Sequence, residues 1–204
     1  GVVCGLVNGI IIHEFKVPPF ITTLGTMAII RGLIKVISGA KTIAGLPREF
    51  SAFSSKSFIG IPYMAWVWVG VVVATYLLLK FTRFGRNLYV IGSGQEVAHL
   101  SGINLRLNTY VVYTLAGLLS GIAGILLTAR INSAVPTGGA GYEMSAIAAT
   151  VIGGASLAGA KGTAIGTALG TILMTLIENG GIQFGVDPFI MEISVGVLII
   201  GAVA

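Results

Sequence analysis

Two stretches with no charged side chain set the terms for this fold, Ser57 to Leu79 and Leu107 to Ala129. A helix rises 1.5 Å per residue, so each stretch is long enough to cross the about 30 Å of hydrocarbon in a bilayer. The first holds the run MAWVWVGVVVATYLLL. Inside a bilayer every backbone polar group must be satisfied within the protein, which leaves helices or a closed barrel. The period-two alternation that marks a barrel strand is absent. Composition agrees: 55% of the residues are hydrophobic and 9% charged, against about 25% charged in a soluble domain. The expected fold is therefore all-α, a polytopic membrane helical bundle.

Further spans are expected around these two. Gly1 to Ile12 reads as the end of a span, and Phe20 to Ser38 as another that Arg31 and Lys35 interrupt. Met144 to Ala160 and Gly162 to Ile177 are shorter apolar runs separated by Lys161, and Pro188 to Ala204 begins a last span containing Glu192. The sum is about seven spans or part-spans. Pro62 is expected in the opening turn of its helix, where proline is tolerated, and Trp66 and Trp68 near a membrane interface. The chain opens in one apolar run and stops in another. It is expected to be a fragment of a longer protein, with 1–204 forming one transmembrane domain incomplete at both ends.

The basic residues set an orientation. Lys80, Arg83, Arg86 and Arg106 gather around one polar segment, which should face the cytoplasm. Counting spans outward puts HEFKVPP and Lys161 on that side as well. Lys41, Arg48, Lys56 and Arg130 fall on the other, with Glu49, Glu143, Glu178 and Asp187. The net charge of +5 is spread over twelve lysines and arginines with no dense basic tract, so no nucleic-acid partner is expected. The single cysteine, Cys4, permits no internal disulfide and has no metal-ligand company.

The polar segment, about 82–108, reads TRFGRNLYVIGSGQEVAHLSGINLRLN. It is no dinucleotide fingerprint, because Val97 stands where Gly or Ala is needed and no βαβ unit surrounds it. GASLAGAKGT from Gly154 is no phosphate loop either, since Ala160 separates Gly159 from Lys161 and Gly162 holds the hydroxyl position. The two histidines are far apart, and no nucleophile, paired carboxylate or metal set presents itself. No catalytic residue, cofactor or metal is expected on this chain. The segment can instead form a short helix. Ser93 is placed as N-cap with Glu96 three residues on, Val97, Leu100 and Ile103 on one face, and Gly102 as the stop. Such a helix either lies on the bilayer or docks a cytoplasmic partner.

Glycines carry the remaining pattern. Gly162, Gly166 and Gly170 recur at i, i+4 and i+8, and Gly117, Gly121 and Gly124 form a similar stripe. Both are read as surfaces where helix backbones approach closely. The adjacent Gly153 and Gly154 each weaken a helix by roughly 1 kcal/mol relative to alanine, so a short or broken helix is expected there. Irregular backbone at membrane depth is tolerated when it is buried in protein or lines a cavity. Glu143 precedes an apolar helix and suits the positive end of its dipole, while Glu178 is read as an interfacial carboxylate.

The segment TRFGRNLYVIGSGQEVAHLSGIN resembles the cytoplasmic loop of ABC-transporter permeases for simple sugars, the ribose, xylose and galactose importer group. The matching residues are Gly85, Arg86, Gly92, Glu96, Ala98, Ser101, Gly102 and Ile103. KVPPFITTLGTMAIIRGL resembles an earlier span of that family. GYEMSAIAATVIGGASLAGAKGT resembles its late signature at Glu143, Ala146 to Ala149, Gly153, Gly154, Ser156, Leu157, Gly159 and Gly162, and ENGG resembles its later Asn-Gly at Asn179. The resemblance implies a permease that moves a monosaccharide such as ribose by alternating access. It implies that Gly92, Glu96, Ala98, Ser101, Gly102 and Ile103 couple to an ATP-binding cassette subunit on the cytoplasmic side. An extracytoplasmic sugar-binding protein and a second permease subunit, alike or closely related, complete the implied assembly in a bacterial inner membrane. Glu143, Gly153, Gly154 and Asn179 are candidates for the translocation path. Three rival readings stand beside it: the same permease carrying branched-chain amino acids or a signalling furanose, a secondary transporter or channel with embedded ion-coupling carboxylates, and an intramembrane enzyme.

Overall fold

The computed structural model describes residues 1–47 and 56–203. Arg48 and Glu49, placed on the outer side above, lie outside the described residues, as do Ala204 and the side chain of Glu192. The described residues form helices α1 (Val2–Glu14), α2 (Pro19–Ser38), α3 (Tyr63–Phe81), α4 (Arg83–Ser93), α5 (Gln95–Leu100), α6 (Leu105–Ile131), α7 (Tyr142–Ile152), α8 (Ala164–Gln183) and α9 (Pro188–Val203). Strands β1 (Ile43–Ala44), β2 (Ser57–Phe58), β3 (Ile61–Pro62) and β4 (Ser133–Ala134) have two residues each. Among the described residues four helices, α2, α3, α6 and α8, are long and apolar enough to cross a membrane. The other expected spans are shorter apolar helices.

The helices pack as two compact units, Gly1–Trp68 with Asn104–Gly139, and Val69–Ile103 with Ala140–Ala204. The first is built on α1 against α6. Gly1, Gly5 and Gly9 recur every fourth residue of α1 and meet α6 at Gly117, Tyr113 and Tyr110 in turn, which makes the pair antiparallel. A Cβ at Gly5 would run into the Tyr113 carbonyl and stand 3.0 Å from the Thr114 Cα. At the far end of the pair Tyr110 Oη donates to Glu14 Oε1 at 2.6 Å, and Arg106 Nε lies 2.8 Å from the same oxygen. The His13 ring stands edge-on to Tyr110. Helix α2 starts on Pro19 and ends at Gly39, whose φ of 60° accommodates the left-handed stop. Strand β1 pairs with β4, Ile43 opposite Ala134.

In the second unit α7 and α8 run antiparallel through Ala149 against Gly170 and Gly153 against Gly166. Their core holds Ala148, Ala149, Met174 and Val195, with Leu198 and Ile199 of α9 packed on it. This interior is made of small residues, whereas Ile37, Leu100 and Phe184 are 84%, 82% and 90% exposed. Such inversion is physical in a bilayer, where lipid chains are as apolar as leucine and close packing, with hydrogen bonds between helices, holds the bundle together.

Three expectations change. Ser57 to Pro62 is not the start of a helix: β2 and β3 form a hairpin with Ser57 opposite Pro62, turning at Ile59 and Gly60. Pro62 thus precedes α3 rather than lying in its first turn. The run Met144 to Ala160 is helical only to Ile152, because Gly154 takes φ 85° while its N–H and that of Ala155 close on Val151 and Thr150. Gly162 stands before α8, outside any helix, with a positive φ of 153°, so the α8 stripe begins at Gly166.

Candidate functional site

The segment 82–108 is not a loop around one short helix. Thr82 caps α4, its hydroxyl accepting from the Gly85 N–H at 3.1 Å, and α4 runs to Ser93. Gly85 packs so tightly on the end of α3 that a Cβ would stand 2.5 Å from the Leu79 Cα; the corner admits only glycine. Ser93 is the last residue of α4, and its hydroxyl donates to the Val90 carbonyl. It therefore does not cap α5, and the reciprocal pair with Glu96 does not form; Gly94 makes the break instead. Helix α5 stops as expected. Gly102, with φ 70°, donates to His99 while Ile103 donates to Ala98, the paired bonds of a glycine-terminated helix. Ile103 lies beyond the helix, so the outer face consists of Val97 and Leu100, both exposed, while Ala98 is fully buried. Glu96, Ser101 and Gly102 are exposed. From Leu105 onward the chain already belongs to α6, capped by Asn104.

The end of α4 rests on the turn between α7 and α8. A Cβ at Gly92 would stand 2.7 Å from the Ala160 backbone N, and one at Gly159 would run into the Gly92 carbonyl. Tyr89 Oη donates to the Gly162 carbonyl at 2.7 Å. Two glycine motifs about seventy residues apart thus meet backbone to backbone. The turn is internally braced: Ser156 N–H donates to the Lys161 carbonyl at 3.0 Å, and Thr163 caps α8 through the Gly166 N–H.

The other expected site residues separate. Gly117 and Gly121 face α1, and Gly166 and Gly170 face α7, but no described atom lies within 4 Å of a Cβ placed on Gly124. Among the path candidates, Gly153 is closed against Gly166 and Gly154 sits in the turn. Glu143 begins α7 at its opposite end, half-buried. There Ser145 Oγ donates to Glu178 Oε1 at 3.0 Å, and Asn179 Nδ2 donates to the Thr175 carbonyl. The four candidates therefore divide between the two ends of the α7–α8 pair. Among the described residues no three His, Cys, Asp or Glu side chains converge on a metal position.

Sequence reasoning missed α4, Ser145 and the α1 glycines. The first was signalled by Thr82 with Phe84, Leu88 and Ile91 at i, i+4 and i+7, the last by spacing of four.

Residues 1–203 match the family described as branched-chain amino acid transport system, permease component. The chain is 42% identical over 198 residues to the ribose import permease protein RbsC of Bacillus subtilis, covering 96% of this chain and 62% of that protein. It is 40% identical to the galactose/methyl galactoside import permease protein MglC of Escherichia coli, covering 100% of this chain and 63% of that protein. Against the D-allose transport system permease protein AlsC of the same organism the figures are 37%, 98% and 61%. The chain thus spans under two thirds of the length of these relatives. No solved structure matches it.

Proposed function

The chain belongs to the family of transport-system permease components, and on that premise we propose that it is the membrane-spanning part of an ATP-driven importer for a monosaccharide. The sugar class follows from the cargo in the relatives' names, ribose, galactose and allose. An ATP-binding cassette subunit engages the α4–α5 segment from the cytoplasm through Glu96, Ser101, Gly102 and Ile103, while Gly92 and the buried Ala98 seat the segment on the rest of its unit. A binding protein delivers sugar from outside, and a second permease subunit completes the path in the inner membrane of a bacterium. This chain performs no bond chemistry and binds no cofactor of its own.

The observation that carries the reading is the seat of α4 on the α7–α8 turn. With backbone against backbone at Gly92 and Gly159, no flexible side chain absorbs a displacement of α4. A pull on α5 is passed to the turn and so to α7 and α8, which meet on glycine and can shift without interlocking side chains. Glu143 and Asn179 at one end of that pair, and Gly153 and Gly154 at the other, are the proposed elements of the path.

The test is uptake of labelled ribose, galactose and leucine by vesicles holding the complete transporter, with and without its ATPase subunit. ATP-dependent sugar uptake that disappears with the ATPase is expected. Uptake that survives its removal overturns the reading in favour of a secondary transporter, and uptake of leucine alone moves it to amino-acid cargo. Gly102→Val introduces a side chain where φ is 70°, and should leave ATP hydrolysis running while sugar uptake falls.

A further inference from the structure

A cavity of about 290 Å³ opens in the second unit, lined by Tyr76, Leu79 and Lys80 of α3, Arg86 and Tyr89 of α4, and the first residues of α8. Neither of its two cations is ion-paired among the described residues, and no carboxylate lines it. Lys80 Nζ is steadied by the Tyr76 hydroxyl at 2.6 Å and lies 5.0 Å from the centre of the same ring. Tyr89 is fixed by its bond to the Gly162 carbonyl. The start of α8 adds the positive end of a 20-residue helix dipole to these two full charges. The walls are thus preset for an anion and hold none of their own.

Position selects which anion. Lys80 lies in the last turn of a 19-residue helix of membrane-crossing length, the level at which lysine reaches lipid headgroups. Leu77 and Phe81 on the same helix are exposed and present apolar surface beside the charges. A soluble phosphate would use the cations alone, whereas a phospholipid matches both features. We propose that this cavity binds the phosphate of an anionic phospholipid, with Lys80 and Arg86 as its ligands and an acyl chain along Leu77 and Phe81. Because α4 forms one wall, a bound lipid braces the segment that rests on the α7–α8 turn.

The inference does not depend on the cargo, and its readout is lipid rather than transport. The complete transporter is placed in nanodiscs of equimolar phosphatidylcholine and phosphatidylglycerol, extracted, and weighed by native mass spectrometry for retained lipid. The wild type should keep phosphatidylglycerol preferentially. In Lys80→Gln/Arg86→Gln that preference should fall about fivefold for each charge removed. Lys80→Arg, which keeps the charge, should retain it, as should Arg83→Gln, whose arginine is on α4 but outside the cavity. Unchanged retention in the double variant overturns the proposal, and so does an equal loss in Arg83→Gln, which would mark a diffuse surface charge effect. Displacement of the lipid by inorganic phosphate assigns the site to free phosphate and overturns the lipid. Retention that appears only after the ATPase subunit is stripped away assigns the cavity to an acidic partner side chain and overturns it equally.

Discussion

Gly5 of α1 faces the Tyr113 carbonyl across the central helix pair of the first unit, and Gly170 of α8 faces the Ala149 carbonyl across that of the second. The two contacts use the same device with different partners. In the first pair Gly1 and Gly5 meet Gly117 and the Tyr113 backbone of α6, the Tyr110 ring comes against Gly9, and a charged cluster of Glu14, Arg106 and Tyr110 closes that end. In the second pair small residues stand on both helices, and the polar link is the bond from Ser145 to Glu178. The first is a glycine seam that one tyrosine ring and a charged cluster pin at an exposed end. The second is a smooth joint whose both sides depend on the absence of side chains. A pinned seam should respond to pH and salt; a smooth joint should respond to added methyl groups.

The comparison can be broken by substitution, and both tryptophans help because they fall in the first unit. Gly170→Ala drives a methyl into the α7 backbone and should cost about 3 kcal/mol. In detergent, circular dichroism should show early loss of helix while tryptophan emission holds to a higher temperature. An unshifted melting curve would remove the α7–α8 joint as the support of its unit. Gly9→Ala meets Tyr110 at 3.2 Å from its Cα, a milder crowding that should cost about 1 kcal/mol and move the tryptophan transition instead. Ser145→Ala removes one bond between helices, with an expected loss of about 0.6 kcal/mol by thermal unfolding. Gly124→Ala adds a methyl in open space and should stabilise α6 by about 0.5 kcal/mol.

The smallest effect is that of pH on the first unit. The hydrogen bond from Tyr110, with the nearby Arg106 guanidinium, holds the Glu14 carboxyl below its usual range. A depressed carboxyl contributes stability that is present above its unfolded pKa and is lost as pH falls through the folded one. Acidification should therefore loosen the α1–α6 end, as followed by tryptophan emission, and salt should weaken the same effect because the pair is exposed. Arg106→Gln should reduce the acid response, and Tyr110→Phe, which removes the larger cause, should abolish most of it. A response of equal size in the latter variant would place its origin elsewhere.

Much of the fold was legible residue by residue. Charge-free runs marked α3 and α6, Gly102 marked the end of α5, and Gly153 with Gly154 marked a helix too short to cross. Two pairings among the polar segments were legible as well: HEFKVPP and Arg106, counted to one side, meet through Glu14, and the Lys161 turn meets α4. The hairpin at Ser57 to Pro62 was hidden because an apolar run does not say whether it is helix or strand. Helix α4 was hidden by its polarity, since apolar length is what marks a span.

What the amino acids determined alone is the material of the protein: helices, because hydrocarbon leaves backbone groups no other partner, and close packing through glycine, because lipid supplies no hydrophobic drive between helices. What only the tertiary structure decided is which glycine meets which backbone. Gly92 closes on Gly159 while Gly124 meets nothing in the described chain. A residue without a side chain records that an approach is permitted; its partner is chosen by how distant segments come together, and no spacing along the chain encodes that.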